Sequence, residues 1–245
     1  MNEHATSPQL PAETSGLPVV AVDIWSDVMC PWCAIGYTQF AKALKELEGE
    51  IDVEVRWMPF ELNPDMPEAG RSQAQHLGEV YQRSPEEVAA MRENLLEVAR
   101  RAGFPMDYDG EGAKDDGGPE PMMWNTFDAH KLLRWALSVE GMEAQTALKL
   151  ALFRAHFQQR RKIGKRSVLL DIAENLGFER AAMEEALDDE ALGMAVRLEE
   201  RRARENNISS VPSFIINGMY LVPGAQEPEV FRDTLRQVVA MEGAG

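Results

Sequence analysis

Cys30 and Cys33, the two cysteines of this 245-residue chain, stand three positions apart in DVMCPWCAIG, residues 27–36. At the start of a helix, residues i and i+3 share a face and can close a disulfide within one turn. The first thiol would then lie where unpaired N–H groups and the helix dipole favour negative charge, lowering its pKa below the free value of about 8.5. Cys30 is thus expected to attack a substrate disulfide, and Cys33 to resolve the mixed disulfide that forms. Pro31 suits the first turn, where its missing N–H costs nothing. A pair of inert buried thiols is the plain alternative. No metal is expected, because His4, His76, His130 and His156 show no paired ligand spacing.

Such a pair needs elements to aim it. VVAVDIW, 19–25, is a β-branched run that reads as a buried strand ending just before the cysteines. Tyr37, Phe40, Leu44 and Leu47 then recur at helical spacing, and IDVEVRWMPF, 51–60, alternates as a strand with one exposed face. From 61 to 206 the pattern is helical. Ser84, Pro85 and Glu87 form a capping box ahead of Val88, Met91, Leu95 and Val98. Helices are predicted over 125–139, 143–159, 167–176, 179–187 and 190–206, while DYDGEGAKDDGGPEP, 107–121, reads as a mobile acidic loop. Strand character returns at VPSFIING, 211–218, and MYLVPG, 219–224, joined through Asn217-Gly218, and a last helix spans about 227–241. The architecture that follows is α/β: a two-part α/β domain, 19–60 and 207–245, interrupted by an inserted all-helical domain at 61–206. Residues 1–18 read as a disordered tail.

Forty-one acidic residues against 25 Lys and Arg give a formal charge of −16. That balance repels a phosphate backbone, so no nucleic-acid partner is expected. The first 18 residues hold no Lys or Arg and no signal-like apolar run, and no later stretch has 18 uninterrupted apolar residues. The expectation is therefore no membrane span and a cytoplasmic location, where an idle structural disulfide would be reduced.

The chain resembles the thioredoxin fold in its DsbA family branch, and most closely the FrnE-like proteins. The resemblance rests on WSDVMCPWCAIG, NTFDAHKLLRWA at 125–136, VPSFIING at 211–218 and VPGAQEPEVF at 222–231, and covers residues 19 to about 241. It implies a thioredoxin-like fold carrying the helical insertion, and a cis peptide bond before Pro212 that offers the Val211 backbone to an extended substrate. Pro31, Trp32, Asn125 and Thr126 are then expected to line the substrate groove; helix capping is the competing role for Asn125 and Thr126. Asp23 is the implied proton relay for the deeper cysteine, with Asp27 as a competitor. Trp32 stands where DsbA carries a histidine and cannot supply its positive charge, which implies a less oxidising disulfide.

The implied activity is that of a thiol:disulfide oxidoreductase acting on protein or small-molecule disulfides, without cofactor but with glutathione as a co-substrate. Two rival readings are a glutathione-dependent isomerase or transferase of the kappa or hydroxychromene type, and a chaperone-like binding module.

Overall fold

The computed structural model describes residues 16–110 and 118–243. Most of the expected tail and the centre of the acidic loop lie outside them. Strand β1, Val19–Ser26, runs parallel to β2, Asp52–Pro59, in a register pairing Val19 with Asp52 and Ser26 with Pro59. Helix α1, Pro31–Glu46, connects them. On the other side β1 pairs antiparallel with β5, Ser213–Ile216, which pairs with β6, Tyr220–Pro223, giving the order β2-β1-β5-β6.

Period-two patterning decides which face of β1 is covered: Val20, Val22 and Ile24 are fully buried against Phe40, Phe214 and Phe231. The last of these comes from α8, Pro228–Glu242, which packs against α1.

Between β2 and β5 lie α2, Gln73–Tyr81; α3, Pro85–Ala102; α4, Phe127–Phe157; α5, Arg166–Glu174; α6, Arg180–Asp188; and α7, Glu190–Glu205. The Ser84 capping box is formed in full. The two helices expected over 125–159 are one path bent at Gly141, whose φ of 86° is open to glycine and costly for other residues. Helix α2 was not foreseen; it buries none of its side chains, so it leaves no apolar stripe to read.

The insertion is also not purely helical. Two short strands, β3 at Arg71–Ser72 and β4 at Met122–Met123, pair within it. Two residues per strand are too few for period-two patterning to register.

The molecule has two principal cores, and the cysteine loop lies at their seam. Cys30 and Cys33 belong to the core of the four-stranded sheet, whereas Val28 and Met29 belong to the core of the helical insertion.

Candidate active site

β1 ends at Ser26, and a tight turn closed by the Cys30 N–H donating to the Asp27 carbonyl at 3.2 Å carries the chain into α1. Cys30 is the N-cap residue, with extended φ and ψ of −82° and 114°, and Pro31 opens the helix. Cys33 lies one turn in, and its N–H donates to the Cys30 carbonyl at 3.1 Å. Both thiols are reduced and buried, at 3% and 0% exposure, so Cys30 holds the pair's contact with solvent. Trp32 is 45% exposed beside it.

Facing this helix start is the strand bend before β5, where the Val211–Pro212 peptide is cis. The Cys30 thiol donates to the Val211 carbonyl at 3.6 Å. Gly36 makes the approach possible: a Cβ there would lie 3.0 Å from Cγ of Pro212 and 3.3 Å from Cα of Ala225. Any larger residue would push the proline bend away from α1.

The two thiols titrate as a unit. Cys30 is pushed well above an ordinary thiol by its hydrogen bond to Cys33, then by burial and by the charge on its neighbour. Burial also opposes ionisation of Cys33, but the hydrogen bond from Cys30 and the Lys149 ammonium outweigh it and bring Cys33 below the ordinary range. The first proton of the pair is thus lost readily and the second is held. The buried cation thus joins the helix start in favouring one negative charge on the pair.

That cation comes from α4. Lys149 is 1% exposed; its Nζ donates to the Ser26 carbonyl at 3.3 Å and lies 5.2 Å and 5.0 Å from the ring centroids of Trp57 and Phe153. Burial draws its pKa down to about 8, against the pull of Cys33, Asp27 and Cys30. At neutral pH it therefore remains charged.

Asp27 is equally buried. Its carboxylate accepts from the Met29 N–H at 3.2 Å and the Leu62 N–H at 2.8 Å, and Nε2 of His130 lies 3.7 Å away. Burial would raise its pKa, but His130, the Leu62 N–H and Lys149 together hold it below the usual carboxylate range. Asp27 is an acid in electrostatic contact with the thiols. Asp23 is not placed there: strand alternation turns it to the opposite face of β1, where it forms a two-pronged ion pair with Arg56 at 2.7 and 2.9 Å.

Asn125 and Thr126 stand where α4 begins. Oδ1 of Asn125 accepts from the Phe127 N–H at 3.0 Å, and its Nδ2 donates to the Met66 carbonyl at 3.2 Å. Thr126 is buried and its carbonyl accepts from His130 N–H. Next to them, the Trp124 N–H donates to Sδ of Met29 at 2.7 Å, which ties the start of α4 to the residue before Cys30. The hydrogen bonds of Asn125 are thus spent on holding this junction.

Sequence reasoning missed Lys149 and the buried His156, yet a signal existed. Gln145, Lys149, Phe153 and His156 recur at helical spacing as a second, partly polar stripe beside the apolar one, and the three polar members are all buried. Among the described residues no cluster of His, Cys, Asp and Glu suits a metal ion, and no helix is long and apolar enough to cross a membrane.

The family described as DSBA-like thioredoxin domain matches residues 21–236. The chain belongs to that family. Its fold is the DsbA-like thioredoxin fold, with the helical insertion between β2 and β5. YwbO of Bacillus subtilis (strain 168) is 29% identical over 217 residues, which cover 88% of this chain and 96% of that protein. A probable DsbA oxidoreductase from Streptomyces coelicolor superposes with a TM-score of 0.76 at 30% identity, covering 90% of each chain. The cytosolic disulfide reductase DsbM from Pseudomonas aeruginosa shares the fold at 19% identity, with a TM-score of 0.61 over 90% of this chain and 99% of its own; its structure with GSH is similar too.

Proposed function

We propose that this protein is a thiol:disulfide oxidoreductase whose Cys30–Cys33 pair cycles between dithiol and disulfide. The observation that carries the reading is the placement of two reduced thiols at the start of α1, with Cys30 outermost and 3.6 Å from the Val211 carbonyl. The resting pair shares one proton across the hydrogen bond between its two thiols. That proton passes along the hydrogen bond to Cys33, and the Cys30 thiolate attacks a substrate disulfide, forming one S–S bond and expelling one thiolate. Cys33 then loses its proton and attacks the Cys30 sulfur, releasing the second substrate thiol. Two electrons move from the pair to the substrate, and the two substrate sulfurs take up two protons, one released by the pair and one from water. The same steps run backwards oxidise a substrate dithiol, with the direction set by the redox poise of the surroundings.

In this cycle Lys149 is the counter-charge for the pair, and the backbone at Val211 is the edge on which an extended substrate pairs. Glutathione is the proposed small co-substrate and the cytoplasm the proposed location, in keeping with the cytosolic DsbM and its solved complex with GSH. The test is capture: Cys33→Ser should accumulate a mixed disulfide on Cys30 when mixed with glutathione disulfide or an oxidised protein, and Cys30→Ser should not. An adduct confined to Cys33, or none, would sink the reading.

A further inference from the structure

A narrow chamber of about 50 Å³ borders Pro31, the residue after Cys30, and reaches Arg92 of α3 and His156 and Arg160 at the end of α4. It shares Gln73, Arg92, Leu96 and Pro121 with a larger trough of about 690 Å³ between α2 and α3. Leu77, Val88, Ala89 and Leu96 make the trough wall largely apolar, and α2 buries none of its side chains.

The chamber is cationic, although the chain as a whole carries a formal charge of −16. Arg160 donates to the Pro119 carbonyl at 2.6 Å, and its guanidinium lies 5.0 Å from the Tyr108 ring centroid. Half-buried Arg92 has neither an ion pair nor a side-chain hydrogen bond among the described residues. Burial, and after it the charge of Arg92, lower the pKa of Arg160, so the two guanidiniums repel each other. The carboxylate that both of them feel, Asp107, is engaged by Arg100 at 2.6 and 2.9 Å. Glu79, Glu93 and Glu120 line the trough but not the chamber; Glu79 pairs with Arg71, and Glu120 accepts from Ser72.

Like charges held together without a counter-ion are unfavourable, and an anion between them removes the cost. His156 adds an unspent hydrogen-bonding group to this chamber. It is 6% exposed, and its Nδ1 has no partner among the described residues. The chamber is little larger than one water molecule's share of liquid volume, about 30 Å³, so it suits a compact head group rather than a peptide strand.

We propose that chamber and trough form a subsite for small disulfide or thiol substrates that carry a carboxylate near the sulfur and an apolar group beyond it. The carboxylate meets Arg92 and Arg160, the sulfur lies toward Pro31, and the apolar group lies between α2 and α3. The inference rests on the oxidoreductase reading and adds a substrate class to it.

The test compares dithiobis(nitrobenzoate), an aromatic disulfide with a carboxylate on each ring, with bis(nitrophenyl) disulfide, which lacks them. In either reaction the Cys30 sulfur bonds to one reagent sulfur and expels a nitrothiophenolate. Cys33 then bonds to Cys30 and expels the second. The pair gives up two electrons, and its protons go to solvent. The rate with the carboxylate reagent, divided by the rate with the other, should fall about fivefold or more in Arg92→Gln. It should stay within about a factor of two in Arg101→Gln, which removes the same charge from an exposed site on the same helix.

Octanoate, a carboxylate with an apolar tail and no sulfur, should slow the carboxylate reagent in the unaltered protein. Ala89→Trp, which fills the trough, should weaken that protection. An equal ratio in folded Arg92→Gln and the unaltered protein, or no protection by octanoate, overturns the inference alone. Failure of both reagents to join Cys30 to Cys33 overturns the oxidoreductase reading and the inference with it.

Discussion

The thiol of Cys30 donates to the carbonyl oxygen of Val211, 3.6 Å away across 181 positions of sequence. Pairing of Trp25 with Ser213, at the ends of β1 and β5, brings the two loops together, and Gly36 lets the proline bend settle onto α1. In the proposed cycle an extended substrate meets a backbone edge already engaged by the attacking thiol. Binding of that edge and release of the thiol are then one event.

Removing the buried cation should disarm the pair. In Lys149→Met the first ionisation of the thiols is expected to rise by about one pH unit or more, read as thiolate absorbance against pH. The same loss disfavours the reduced form, so the equilibrium with glutathione should shift toward the disulfide. An unmoved titration would show that Lys149 is not the counter-charge.

Asp23 of β1 and Asp27 of the cysteine loop should separate cleanly. Asp27→Asn removes a negative charge that opposes ionisation of Cys30, and the thiol titration should move to lower pH. Asp23→Asn breaks an ion pair with the half-exposed Arg56 on the far face of β1, and should leave that titration in place while costing at most about 1 kcal/mol. Thiol titrations of both variants check the pair of expectations; a shift with Asp23→Asn would restore it as the relay.

Gly36→Val should damage both stability and exchange. Its Cβ would crowd Pro212 and Ala225, and overpacking of this kind costs about 1–3 kcal/mol. Denaturant melts should show the loss, and the rate of mixed-disulfide formation at Cys30 should fall because the Val211 edge is displaced. A rate equal to that of the unaltered protein would argue that the edge is not used.

His156 sets an acid limit on the fold. Its Nδ1 is buried without a partner among the described residues, and burial drives the pKa from 6.5 down to about 4. Between those values the unfolded chain binds a proton that the folded chain refuses, so this contribution is complete above pH 6.5 and is lost as pH falls toward 4. The change is about 3 kcal/mol. Urea melts across that window should show the slope, and His156→Phe, which can keep the edge-to-face contact the imidazole makes with Phe157, should flatten it.

The frame of the site was legible because it is local or strongly patterned. The thiol spacing, the β-branched run before it and the capping box at Ser84 each act within a few residues, and each appears in the structure as read. The electrostatics were not legible in the same way. Asp23 and Asp27 look alike in sequence, and strand alternation plus a single turn decide that one meets Arg56 and the other His130 and Lys149. Lys149 sits 116 positions beyond Cys33, so only the three-dimensional packing of α4 against β2 reveals their meeting. Helix α2 and the strands β3 and β4 escaped because they bury too little, or are too short, to leave a period.

Helix α4 enters the sheet core with Lys149, Phe153 and His156, although it belongs to the inserted segment. The paired thiols and the buried charge beside them are thereby carried on separate stretches of chain. Two relatives with an identical Cys-Pro-Trp-Cys run could differ widely as oxidants through one residue on this helix. Comparing their motifs would not reveal it, and an excised sheet domain would keep its thiols while losing their setting.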